Sequence, residues 1–197
     1  METFKAKTFE IPKLNGISEK NIEEHLKLYN GYVNNTNLIL NKISELKGDP
    51  VGNAFVLGEL QRRFGFEFDG MRNHEYFFTL FEGGSHKLQD GSDLSKAIDS
   101  EWGSFDNFLN HFKFIAVTRG IGWAILYYDK HSGKLMSHWV DEHHLGQLTG
   151  LSPVLALDMW EHAFVYDYAT SEKKKYVDAF FDNVNWEVAE ENFKKAK

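Results

Sequence analysis

The segment Asp158-Met159-Trp160-Glu161-His162 sets a carboxylate and an imidazole four residues apart. Both can reach one metal ion if the backbone turns between them. Alone, a D-x-x-x-H spacing is a weak signal, and a surface ion pair is its commoner meaning. Here it lies in an apolar stretch, LALDMWEHAF. An ionised carboxylate in such surroundings is costly unless a cation or hydrogen bonds compensate. His25 and His74 each fall within an apolar helical pattern. One such histidine is more often a satisfied core residue than a ligand. Two of them, joined to the Asp158/His162 couple, make three imidazoles and one carboxylate. That set suits Fe, Mn or Zn and leaves a coordination position open to solvent. Of the other histidines, His86 and His131 sit in loop-like segments and His111 on the polar side of a helix.

Two helices have to bring these groups together. From Ser18 to about Leu46, apolar residues recur at three- and four-residue steps, with Ser18 or Asn21 as the N-cap. The stretch KGDPVGN (47–53) breaks the pattern, and a second apolar segment runs from Ala54 to Phe64. GFEFDG interrupts it before Met71 to Phe81 resumes the helical period. Residues 83–92 read as a glycine-rich linker, after which Asp93 and Ser104 cap two further helices. The period then changes. Trp123–Tyr128 and Leu135–Val140 are apolar runs separated by a hairpin loop, and Pro153–Trp160 supplies a third strand. The tail returns to helix from about Glu172. The expected fold class is α+β: an N-terminal antiparallel helical hairpin (1–84), then a C-terminal lobe (85–197) with a three-stranded antiparallel sheet and helices.

Composition narrows the function. The 197 residues carry 15% aromatics, enough for a substantial core, and a formal net charge of −7. An acidic surface repels phosphate backbones and acidic membranes, so no nucleic-acid or membrane partner is expected. The absence of cysteine excludes disulfides, thiolate catalysis and Fe–S clusters. The charged N-terminal stretch and the lack of a long apolar run point to a cytoplasmic protein.

DMWEHAF resembles the D-x-W-E-H-A-[YF] signature of the iron/manganese superoxide dismutases. IEEH ending at His25, YVNNTN from Tyr32, NHEYFF around His74, GSFDNF, GIGWAILYYD and NVNWEVAEENF are similar to that family's segments in the same order, over nearly the whole chain. The resemblance implies a superoxide dismutase, converting superoxide to dioxygen and hydrogen peroxide. It implies one Fe or Mn ion per subunit, with His25, His74, Asp158 and His162 as ligands. Tyr32 matches the family's gateway tyrosine, although it follows His25 by seven residues and the family spacing is eight. The family's solvent-binding glutamine has no counterpart at Gly70. By count along the second strand its place falls to His143, which leaves the choice of metal open. Trp123 and Trp160 match tryptophans that wall the metal pocket. Glu161 matches a residue that reaches across a homodimer to the partner's last histidine ligand. Tyr29 stands where the family often has histidine and is expected to remake a contact between subunits; Val165 replaces that contact's usual tyrosine. Lys173–Lys175 lie near a family basic position suited to attracting an anion. Two rivals remain: a metal hydrolase using the same ligands, and a non-catalytic metal binder.

Overall fold

The computed structural model describes residues 3–197. Ser18 starts the first helix. Its backbone is extended and its hydroxyl accepts the N–H of Asn21 at 3.1 Å, satisfying a donor that every helix start leaves without a partner. Helix α1 runs Glu19–Leu46 and α2 runs Ala54–Thr79. Asn35 meets Glu67 midway along the pair, and His25 near the start of α1 meets His74 near the end of α2. The two helices therefore run in opposite directions.

The expected interruption at GFEFDG does not occur: α2 passes through it unbroken. The glycine at 70 serves a different need. A Cβ there would lie 2.7 Å from Tyr32 Cδ1, so only hydrogen lets the two helices approach this closely. Tertiary packing offsets the helix propensity that glycine loses, about 1 kcal/mol.

Helix α3 spans Asp93–Trp102, and its cap is Ser92, not Asp93 as the sequence suggested. Gly103, at φ +80°, ends it in the left-handed conformation and allows the sharp turn into α4, Phe105–Ala116, which Ser104 caps. Strands β1 (Gly122–Asp129), β2 (Lys134–Asp141) and β3 (Ser152–Asp158) form one antiparallel sheet in the order β2-β1-β3. The central strand is buried from Gly122 to Tyr127, which explains an apolar run without alternation. Its register sets Trp123 opposite Asp158 on one side and Val140 on the other.

β3 stops at Asp158, two residues short of the expected end. The chain then turns through a short 3-10 segment, Glu161–Ala163, that brings His162 back over Asp158. The tail forms two helices, α5 (Lys173–Asn183) and α6 (Trp186–Ala196). Between them Asn185 donates its backbone N–H to Leu80 O at 2.7 Å, tying the break to the end of α2. Phe77 of α2 stacks on Phe180 of α5, and buried residues from both halves of the chain belong to one connected core. Among the described residues no helix is long and apolar enough to cross a membrane.

Candidate metal centre

Four side chains converge where the helical hairpin meets the end of β3. His25 comes from α1, His74 from α2, Asp158 from the last residue of β3 and His162 from the turn that follows. Their Nε2 atoms stand 3.1 Å (His25), 3.5 Å (His74) and 3.2 Å (His162) from a single oxygen, Asp158 Oδ2. All the candidate ligand atoms lie within 4.8 Å of one another. Donors about 2.1 Å from a shared ion and roughly 100° apart would be separated by about 3.2 Å, so this spacing fits one ion.

Hydrogen bonding fixes which nitrogen of His74 faces the centre. Its Nδ1 donates to Gly70 O at 2.6 Å, so in the neutral ring Nε2 carries a lone pair. That Nε2 is fully buried and has no hydrogen-bond partner, an unfavourable state that a cation would relieve. Asp158 is oriented by its other oxygen, which accepts the N–H of Trp160 at 2.8 Å. Burial by itself pushes the Asp158 carboxyl up, but the imidazoles of His162 and His25 overcome this and hold it well below the usual carboxylate range. Burial holds His25 and His74 below the ordinary imidazole value, Asp158 opposing it in both. The site therefore favours an anionic Asp158 carboxylate beside neutral His25 and His74 rings, the protonation state in which these groups bind metal.

A second layer adjoins these groups. Trp123 donates its indole N–H to His143 Nδ1 at 3.0 Å, and His143 Nε2 lies 2.7 Å from the Tyr32 hydroxyl. An indole can only donate, so Nδ1 must accept. The neutral ring then carries its hydrogen on Nε2 and donates it to Tyr32. Burial pushes His143 down to about 3, which keeps it neutral at ordinary pH. Burial, with Asp158 nearby, raises the Tyr32 phenol, so Tyr32 keeps its proton. Trp160 stacks on His143 at 4.7 Å and on His162 at 5.7 Å, closing one wall. Its indole N–H reaches Glu142 O at 3.2 Å. Glu142 holds φ +51°, a conformation few non-glycine residues adopt, directly before His143.

Tyr29 falls elsewhere than its expected role requires. It is fully buried, and its hydroxyl accepts the backbone N–H of Lys7 at 2.8 Å and reaches Glu75 Oε1 at 3.2 Å. That hydroxyl is committed within the chain, so the expected contact between subunits is corrected to a core position beside Phe9 and Phe78. Glu161 is exposed, and the nearby Val165 and Tyr166 are 45% and 55% exposed. The lysine run divides: Lys173 donates to Gly120 O, Lys175 pairs with Glu172, and Lys174 lines a surface groove with Phe114.

Sequence reasoning missed three residues that shape the second layer. Phe66 packs edge-on against His143 at 4.7 Å, within the segment read as a break. Asn73 and Gln147 donate to His143 O at 3.1 and 3.0 Å and fix its backbone. Their only signal was position: Asn73 directly precedes His74, and Gln147 follows His143 by four.

A helical hairpin and a three-stranded sheet that together present three imidazoles and one carboxylate define a protein with a mononuclear metal centre. Residues 89–192 match the family model described as iron/manganese superoxide dismutases, C-terminal domain. The chain is 36% identical to a superoxide dismutase [Fe] of Aquifex aeolicus over 93% of its own length and 87% of the relative's. It is 37% identical to a superoxide dismutase [Fe] of Cupriavidus metallidurans, covering 93% and 92%. It is also 34% identical to superoxide dismutase [Mn] 1 of Halobacterium salinarum, covering 91% and 88%. The chain belongs to the iron/manganese superoxide dismutase family.

Proposed function

We propose that this protein dismutates superoxide at one Fe or Mn ion held by His25, His74, Asp158 and His162. The observation that carries the reading is the convergence of three histidine Nε2 atoms on Asp158 Oδ2 at 3.1–3.5 Å. Family membership supports the activity, since relatives named for iron and for manganese are similar to nearly the whole chain. When bound, the ion supplies one-electron exchange, so that one superoxide is oxidised to dioxygen and a second is reduced to peroxide.

The chain's own residues position the ion and handle protons. His74 is held in the ligand tautomer by Gly70, and Asp158 is aimed by the Trp160 amide. Trp123 sets the tautomer of His143, and His143 gives its one N–H to the Tyr32 oxygen. That bond leaves the Tyr32 O–H to donate toward the reduced substrate, which needs two protons to leave as hydrogen peroxide. Trp123, Trp160 and Phe66 exclude bulk water around these bonds. By the family resemblance, His143 takes the part of the family's solvent-binding glutamine. A hydrolase is disfavoured because it needs a separate general base, and His143 is already committed to Trp123 and Tyr32.

The protein works as a homodimer in which Glu161, exposed beside Val165 and Tyr166, contacts the partner's last histidine ligand. Residues 1–84 and 85–197 are its two lobes, each contributing two ligands. Its location is cytoplasmic, which cell fractionation checks. The activity itself is tested on protein loaded separately with iron and manganese. Superoxide removal by at least one form, with about one ion per chain, is expected. Inactivity of both fully loaded forms would overturn the function.

A further inference from the structure

We propose that Arg63 draws the anionic substrate to the mouth of the metal pocket, an inference that rests on the superoxide reading above. The protein carries a formal charge of −7, so an approaching anion is repelled over most of its surface. Capture then requires a cation close to the pocket. The lysine run of the sequence is poorly suited: Lys173 is bound to Gly120 O, Lys175 to Glu172, and Lys174 faces a groove beside Phe114 and Val177.

Arg63, on α2, is held in two ways. Its Nε and Nη2 both reach Glu67 Oε1, at 2.8 and 2.7 Å, and its Cζ lies 3.8 Å from the centre of the Phe66 ring. That same ring touches His143 at 4.7 Å, His144 at 5.7 Å, Tyr32 at 6.1 Å and Trp160 at 6.3 Å. A single aromatic ring therefore separates the guanidinium from the imidazole that bonds Tyr32. The positive charge of Arg63 also acts on both Tyr32 and His143, lowering the pKa of each.

The unequal exposure of the Arg63–Glu67 pair favours attraction. Glu67 opposes Arg63, but its side chain is 4% exposed and its second oxygen accepts Asn35 Nδ2 at 3.3 Å. The Arg63 side chain is 50% exposed. An anion arriving from solvent meets the guanidinium before the carboxylate behind it. A guanidinium has five N–H groups, and Glu67 lies against only its Nε and Nη2 side, so a small diatomic anion can still be hydrogen-bonded.

The test changes the two charges separately. Iron-loaded wild type, R63Q, E67Q and the double variant R63Q/E67Q are compared for kcat/KM with superoxide across ionic strength, and for azide affinity by absorption titration. R63Q should lower both quantities about two- to threefold at low salt and flatten the salt dependence. E67Q, which unmasks the arginine, should move both the opposite way. At about 1 M salt, where the Debye length is roughly 3 Å, the differences should vanish. If R63Q misfolds because Glu67 is left unpaired, the double variant carries the test, and it should show a shallower salt slope than E67Q alone. Salt slope and azide affinity unaltered by loss of Arg63 in a folded, iron-loaded protein would overturn the proposal. Inactive wild type would instead overturn the superoxide reading, and the azide titration would still report on Arg63.

Discussion

His143 has one proton to give where an amide has two. With Nδ1 accepting from Trp123, its single N–H is spent on Tyr32. His143→Gln restores a two-donor group, so it should retain the metal while shifting the midpoint potential or the balance of iron- and manganese-supported activity. Redox titration of both loaded forms measures this. Trp123→Phe removes the donor that sets the tautomer. In metal-free protein carrying 15N-labelled histidine, His143 should change from one Nε2–H form to a mixture of tautomers. Asp69 offers an independent check at the same scale. Burial lifts its carboxyl from 3.8 to about 6. Between those values the folded state binds more protons than the unfolded one, so this residue's contribution to stability falls as pH rises through the window. Asp69→Asn should stabilise the protein at pH 7 by about 1 kcal/mol, allowing for partial solvent access, and the gap should close below about pH 4. Urea unfolding at the two pH values decides it. The four proposed ligands were legible because their order and spacing match a family pattern. Tyr29 was misread because sequence does not tell which way a helical side chain turns: its hydroxyl faces Lys7 and Glu75 rather than outward.

The elements show where sequence patterns are ambiguous. GFEFDG looked like a break because glycine weakens a helix in isolation. Inside α2, Gly70 instead makes room for Tyr32, and nothing local in the chain reveals that partner helix. Gly70→Ala would ordinarily stabilise a helix by about 1 kcal/mol. Here the added methyl meets the Tyr32 ring at 2.7 Å, so the melting temperature should fall and activity should drop with metal content maintained. A higher melting temperature with full activity would show that Tyr32 can give way. The sheet was more readable. β1 and β2 were found to within a residue because a long apolar run and a glycine-bearing loop leave few alternatives. β3 was overextended because DMW continues the apolar pattern, while the need to return His162 to Asp158 turns the chain.

At the scale of the molecule, one core joins the two halves, and the candidate ligands sit where they meet. Losing the metal should therefore loosen the contact between hairpin and sheet, lowering the melting temperature by an amount that grows with the logarithm of metal affinity. The exposed Glu161, Val165 and Tyr166 belong to the proposed subunit contact, so Glu161→Ala should shift a dimer toward monomer in sedimentation. The measurement closest to the central claim is the anomalous scattering of crystals of the iron- or manganese-loaded protein. A single peak roughly 2.0–2.2 Å from Nε2 of His25, His74 and His162 and from an Asp158 oxygen is predicted. A loaded, active protein with its peak elsewhere, or with any of these four outside bonding distance, would contradict it.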